Sequence, residues 1–198
     1  MIIVGLTGSI GMGKSAAAAM LRDMGVPVHC SDEVVHELLG PGGVAVGLVT
    51  AAFPDVADKN KSINRKSLGV QIFSHTENRQ KLESILHPLV VDSQRKFIAD
   101  HARLHTKIAV LDIPLLFETG ADTRVDYIVV VSAPPFIQRH RVLARPGMTA
   151  EKFESILALQ MPDVEKRLRA DFIVETGIGI AETRRTLEKI IESLRKEI

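Results

Sequence analysis

Three stretches of the chain are apolar without a break: Ile2-Ile3-Val4-Gly5-Leu6, Ile108-Ala109-Val110-Leu111 and Tyr127-Ile128-Val129-Val130-Val131. Unbroken rather than alternating hydrophobicity is the pattern of strands covered on both faces, as in a parallel sheet. Residues 26–30 and 172–175 repeat it more weakly, which makes about five strands. Between these runs the period becomes helical. In residues 14–24, Ala17, Met20, Leu21 and Met24 fall at i, i+3, i+4 and i+7, and Gly25 is placed to end the helix. Further helices are predicted over 32–39, 43–53, 65–74, 77–104, 134–144, 149–169 and 180–197, with Pro88 bending or dividing the longest and Pro162 interrupting 149–169. Strands alternating with helices predict an α/β fold, a parallel sheet wound with right-handed crossovers.

The spacing of the strands adds a second level of organisation. About 75 residues separate the second strand from the third, whereas a simple crossover needs about a dozen. A helical insertion is therefore expected at 35–104, placed to cover a substrate, and a smaller helical, Arg-containing piece at 134–170. The core is then 1–34, 105–133 and 171–198.

Composition narrows the class. With 45% hydrophobic and 25% charged residues in 198, the chain has ample material for a packed core, so disordered, collagen-like and coiled-coil classes are excluded. Lys+Arg 25 against Asp+Glu 24 leaves a formal charge of +1, so no global basic field exists for nucleic acid or anionic lipid. The single Cys cannot form an internal disulfide. The longest uncharged apolar stretch, 127–138, contains two prolines and falls short of the roughly 18–20 residues of a spanning helix. The N-terminal run lacks a preceding positive segment, the reverse of a signal peptide, so a cytoplasmic protein, monomeric or weakly self-associating, is expected.

The chemistry starts at Gly8-Ser9-Ile10-Gly11-Met12-Gly13-Lys14-Ser15, which fits G-x-x-x-x-G-K-[ST] and sits between a predicted strand and a predicted helix. Glycines let successive backbone N–H groups wrap a phosphate, and the helix N-terminus adds its positive end. Lys14 reaches the β- and γ-phosphates, and the Ser15 hydroxyl is a ligand for Mg²⁺. The expected ATP contacts are Gly8, Gly11, Met12, Gly13, Lys14, Ser15 and Ala16. Asp112 closes the third strand beside this loop, where a carboxylate holds Mg²⁺ directly or through water. Asp32 follows the second strand. It reads either as a helix N-cap or, at the mouth of the crevice where open α/β sheets bind ligands, as the acceptor of a hydroxyl proton.

Gln138-Arg139-His140-Arg141 and Arg145 form a local basic cluster, with Arg141 and Arg145 at i and i+4 on one helix face. Mobile Arg side chains there neutralise a transferring phosphoryl group, or else simply form a solvated face. Arg65 in the insertion is a candidate for an anionic acceptor. The apolar segment Ile113-Pro114-Leu115-Leu116-Phe117-Glu118 after Asp112 is either a ligand-facing loop or plain core. His87-Pro88 reads on pattern alone as structural.

Together these residues resemble the dephospho-CoA kinases, a family of P-loop kinases that perform the last step of coenzyme A synthesis. The resemblance covers nearly the whole chain. It rests on LTGSIGMGKS (6–15), Asp32, INRKSLG (63–69), LESILHPLV (82–90), LDIPLLFETG (111–120), QRHRVLAR (138–145), LQMP (159–162) and ADFIVETG (170–177). It implies a P-loop NTPase-type sheet with an acceptor-binding insertion and a lid. It also implies ATP-dependent, Mg²⁺-assisted phosphorylation of the ribose 3′-hydroxyl of dephospho-CoA, giving coenzyme A and ADP. By position, Asp32, Lys14 and Arg141 are catalytic, and Arg141 and Arg145 are lid arginines toward ATP. Asp32, Arg65, His87, Pro114, Leu115, Leu116 and Glu118 face the acceptor. The chain departs from the family at Cys30-Ser31, where Asp-Ala is common, and at Glu175-Thr176, where an Asn is common.

Other readings remain at this level. A nucleoside monophosphate or small-metabolite kinase shares loop, insertion and lid, but the PLLFE segment disfavours it. A GTPase switch needs N-K-x-D and D-x-x-G; Asn60-Lys61-Ser62-Ile63 lacks the Asp and no D-x-x-G occurs. A catalytically dead binding module is disfavoured by intact Lys14, Ser15, Asp32 and Asp112.

Overall fold

A computed structural model describes residues 1–73 and 75–197. In chain order the elements are β1 (Ile2–Thr7), α1 (Lys14–Asp23), β2 (Val28–Cys30), α2 (Ser31–Leu39), α3 (Val46–Ala52), α4 (Arg65–Phe73), α5 (Thr76–Arg103), β3 (Ile108–Asp112), β4 (Tyr127–Ser132), α6 (Pro135–Leu143), α7 (Ala150–Leu157), α8 (Asp163–Leu168), β5 (Phe172–Glu175) and α9 (Ile180–Arg195). A short 3₁₀ turn, Ala121–Arg124, precedes β4. Ser74, the last residue of the predicted helix 65–74, lies outside the described residues.

The chain divides into two compact units, Met1–His29 with Asp100–Ile198, and Cys30–Ala99. The first is built on one five-stranded sheet in the order β2-β3-β1-β4-β5. β1 pairs in parallel with β3 on one side and β4 on the other, and β4 pairs in parallel with β5. The five predicted strands are all present and within two residues of their expected bounds. Their unbroken apolarity has the anticipated cause. Val4 and Leu6 pack with α1 and α9 in one core cluster, completed by Val110, Val129, Val131 and Val174. Gly5, on the opposite face of β1, lies against Leu116 and Val125. α9 buries Thr183, Leu187, Ile190, Ile191 and Leu194, a stripe at helical spacing. Each such Leu or Ile contributes roughly 1.5–3 kcal/mol relative to exposure.

The strand order reverses at β1: the chain passes first toward β3 and β2, then back across to β4 and β5. Open α/β sheets bind ligands at such a switch point, outside the carboxyl ends of the strands. The β1–α1 loop occupies it, and the register Leu6↔Asp112 brings the end of β3 alongside.

The second unit is helical and has its own apolar centre: Leu39, Ala45, Val49, Phe53, Val56, Ile63, Leu68, Leu82 and Leu86. Pro88 neither ends nor splits α5, which runs 28 residues through it. A helix-interior proline loses its own N–H bond and crowds the carbonyl four residues back, which costs stability but need not end the helix; here Leu82 and Leu86 are buried just before it. Pro162 does separate α7 from α8, as its N-cap position on α8 requires. Among the described residues no helix is long and apolar enough to cross a membrane.

Candidate active site

The β1–α1 loop is shaped by close packing as much as by its own flexibility. A Cβ on Gly8 would fall 2.4 Å from Val131 Cγ2 and 2.7 Å from the Val131 carbonyl oxygen, so only glycine lets the loop leave the sheet against β4. Gly13 is the N-cap of α1 at φ +93°, and a Cβ there would sit 3.0 Å from Thr176 Oγ1. Met12 is buried, and its sulfur accepts a bond from Ala133 N–H at 3.1 Å. Of the expected Met12 contribution, only the backbone is therefore available to a ligand. Ile10 is held by both edges of its backbone. Its N–H donates to Gln160 Oε1 at 3.0 Å, and its carbonyl accepts from Gln138 Nε2 at 2.8 Å. Ser15 and Ala16 are exposed in the first turn of α1.

Lys14 and Asp112 were expected to serve phosphate and metal separately; the structure pairs them. Lys14 Nζ donates to Asp112 Oδ1 at 2.5 Å, with the carboxylate side chain 2% and the lysine 11% exposed. A buried carboxylate needs such compensation. No cluster of three or more His, Cys, Asp or Glu suited to a metal exists among the described residues. One buried carboxylate, Asp112, and one exposed hydroxyl, Ser15, nevertheless suit Mg²⁺, which keeps several waters and takes its remaining oxygens from substrate phosphates.

Arg141 on α6 reaches the loop. Its Nη1 donates to Thr176 Oγ1 at 2.9 Å and to the Gly11 carbonyl at 3.5 Å, and its Nη2 donates to the Thr176 carbonyl at 2.8 Å. Arg145 does not share a helix face with it. α6 stops at Leu143, Ala144 is its C-cap, and Arg145 lies exposed in the following turn. The three arginines of the basic cluster are thus parted: Arg141 packs on the loop, Arg139 lies 3.7 Å from Glu154, and Arg145 stands beyond the end of α6.

After Asp112 the chain turns with Thr7 Oγ1 donating to the Pro114 carbonyl at 3.1 Å. Pro114 and Leu115 are half-buried. Leu116, expected to face a ligand, is 0% exposed and packs on β1 at Gly5; it belongs to the core. Glu118 is engaged from within. Its Oε1 accepts from Met161 N–H at 2.8 Å and lies 2.8 Å from Nζ of Lys166, a lysine with no exposed side-chain surface. A second polar cluster closes the ends of β4 and β5, where Arg167 Nη1 donates to Glu175 Oε1 at 2.5 Å and to Ser132 Oγ at 3.1 Å. Ser132 Oγ donates in turn to Asp163 Oδ2 at 2.7 Å. On α7, Thr149 accepts from Lys152 N–H at the N-cap. The N–H of Glu151 and then the Thr149 hydroxyl hold the Glu151 carboxyl below its ordinary value.

In the second unit, Asp32 is not a cap. α2 starts at Ser31 after Cys30, and Asp32 is exposed in its first turn. Ser31 is buried and accepts from Gln94 Nε2 at 3.1 Å. Arg65 is exposed at the start of α4, where Asn64 Oδ1 accepts from the N–H groups of Lys66 and Ser67. His87 is exposed on α5.

Residues 2–182 match the sequence profile of the dephospho-CoA kinase family. This chain belongs to the dephospho-CoA kinase family. A dephospho-CoA kinase of Mesorhizobium japonicum is 52% identical over 195 residues, covering 98% of both chains. Among solved structures, a Thermus thermophilus protein superposes with a TM-score of 0.82 at 33% identity, covering 97% of this chain and 96% of that one. A Campylobacter jejuni dephospho-CoA kinase gives 0.73 at 25% identity, covering 98% of each. Within this family's P-loop frame, Thr176, Gln138, Gln160 and Lys166 are the residues that the pattern reading did not single out as functional. Gln138, Gln160 and Thr176 fall in the segments QRHRVLAR, LQMP and ADFIVETG, which carry the resemblance without giving these positions a role, and Lys166 falls in none of them.

Proposed function

We propose that this chain transfers the γ-phosphoryl group of ATP to the ribose 3′-hydroxyl of dephospho-CoA, giving coenzyme A and ADP, in the cytoplasm and as a monomer or weak homo-oligomer. The observation that carries the reading is a complete phosphate loop with Lys14 and Asp112 paired beside it, on a member of the dephospho-CoA kinase family.

The phosphates of ATP lie on the loop 8–15, held by its N–H groups and the N-terminus of α1. Lys14 exchanges Asp112 for the β- and γ-phosphates, and Asp112 and Ser15 are then the residues that hold Mg²⁺. When bound, that ion neutralises charge on the phosphate oxygens. Asp32 orients the 3′-hydroxyl and takes its proton as the oxygen attacks the γ-phosphorus. Arg141 and Arg145, in the lid segment 134–170, offset the charge spread over the transferring group and exclude water. Arg65 and His87, in the insertion 35–104, meet the anionic part of the acceptor, and Pro114 and Leu115 give it an apolar wall. Glu118 holds that wall through Lys166 and Met161 N–H. The test is ADP release with MgATP and a panel of dephospho-CoA, nucleoside monophosphates, shikimate, pantothenate and water. Dephospho-CoA alone is expected to stimulate turnover; stimulation by another acceptor and not by dephospho-CoA overturns the reading.

A further inference from the structure

We propose that Thr176 is a positioning residue for nucleotide binding, setting the phosphate loop and Arg141 relative to each other through its hydroxyl and carbonyl. Four observations meet at this side chain. Thr176 is 7% exposed, and its own N–H is tied to the Ser132 carbonyl at 2.8 Å, so its backbone is continuous with the end of the sheet. Its hydroxyl donates to the Met12 carbonyl at 2.7 Å and accepts from Arg141 Nη1 at 2.9 Å. Its carbonyl takes the second guanidinium nitrogen, Nη2, at 2.8 Å. Its Cβ and Cγ2 would both lie 3.2 Å from a Cβ on Gly13, so the threonine packs directly on the last glycine of the loop.

The geometry of the peptide bond turns these contacts into a function. Met12 C=O and Gly13 N–H belong to one planar trans unit and point in opposite directions. A hydroxyl that captures the Met12 oxygen therefore holds the Gly13 N–H pointing away from Thr176, the sense in which a loop N–H can meet an anion. The hydroxyl has one proton and spends it on Met12, so toward Arg141 it acts only as an acceptor. Arg141 is thereby oriented by the two Thr176 oxygens together with the Gly11 carbonyl, which leaves its Nε and one Nη2 hydrogen for the ligand. The orientation of the loop N–H groups and of the arginine is then set before nucleotide arrives. The sequence marks Glu175-Thr176 only as a departure from the family's common Asn, and it is the contact partners that give Thr176 a role.

This inference rests on the reading that ATP occupies the loop 8–15, and the experiment separates the two. T176V keeps the volume and the carbonyl and removes the hydroxyl; T176S keeps the hydroxyl and removes the methyl; T176C keeps a weak donor. Steady-state kinetics are measured with each substrate varied in turn, and thermal unfolding is recorded for each variant, with K14A as control. T176V is expected to raise KM for ATP about tenfold while KM for dephospho-CoA stays within about twofold, and T176S to recover most of the loss. T176C is expected to fall between the two, and it decides the matter if T176V does not fold. A T176V or T176C enzyme with the unmodified KM for ATP overturns the positioning role. So does a T176S enzyme as impaired as T176V, which would assign the effect to methyl packing on Gly13. If K14A also leaves ATP use unmoved, it is the loop assignment that falls; if K14A cripples turnover and T176V does nothing, only the role of Thr176 falls.

Discussion

Asp32 and Lys14 separate chemistry from nucleotide binding. D32N keeps size and exposure but cannot take the hydroxyl proton, so kcat should fall by roughly 10²–10⁴ with ATP affinity nearly unchanged. Near-normal turnover in that variant would remove Asp32 from the role. K14A deletes the partner of a buried carboxylate as well as a phosphate contact. It should therefore lose nucleotide use and lower the unfolding midpoint together. G13A should do similar damage by a different route. A Cβ at φ +93° is strained and lies 3.0 Å from Thr176 Oγ1, so stability should drop by about 1–3 kcal/mol in denaturant titration. The residues legible in the sequence were those whose spacing is dictated by the ligand itself: a phosphate wraps the same eight positions wherever the loop occurs. Thr176, Gln138 and Gln160 act on that loop from 120 or more positions away in the chain. Nothing in local pattern links them to it.

At the scale of elements, hydrophobic periodicity told strand from helix well because the central strands β1, β3 and β4 are buried at successive residues and α9 on one stripe, while the edge strand β5, with Ile173 exposed, gave the weaker signal. It failed where one residue was given too much weight. Pro88 was expected to bend or divide α5 and does not divide it, and Arg145 was placed on one helix face with Arg141, although the last helical residue of α6 is Leu143. The Glu118–Lys166 pair is the clearest tie between elements that no periodicity announces, because Lys is counted as polar and here has no exposed side-chain surface. K166M should cost about 3 kcal/mol, since it leaves Glu118 with a charge and one backbone donor; the remaining exposure of Glu118 keeps the loss moderate. Adding E118Q, which still accepts from Met161 N–H, should recover most of it. Chemical denaturation of both variants measures this, and a K166M protein as stable as the unmodified one would show that the pair is replaceable.

At the scale of the whole chain, the near-neutral charge conceals its distribution. Lys14 and Arg141 meet at one loop while the total stays at +1. Excess length between two strands pointed to an insertion at 35–104, and the structure has a compact unit at Cys30–Ala99, whose apolar centre of Leu39, Val49, Phe53 and Leu86 was not legible because helical periodicity does not say which helices share a core. The backbone of Ile10, bonded on both of its flanking peptide groups, carries the last consequence. With Gln160 on its N–H and Gln138 on its carbonyl, the loop is anchored by bonds that folding supplies and nucleotide does not. Much of the conformational entropy that a free glycine-rich loop would surrender on meeting ATP has been surrendered already, during folding. Hydrogen exchange of the nucleotide-free protein should accordingly find the Ile10 amide slow, and Q160A should quicken it. The entropy of ATP binding should become more unfavourable in that variant, although Gln160 need not touch the nucleotide at all.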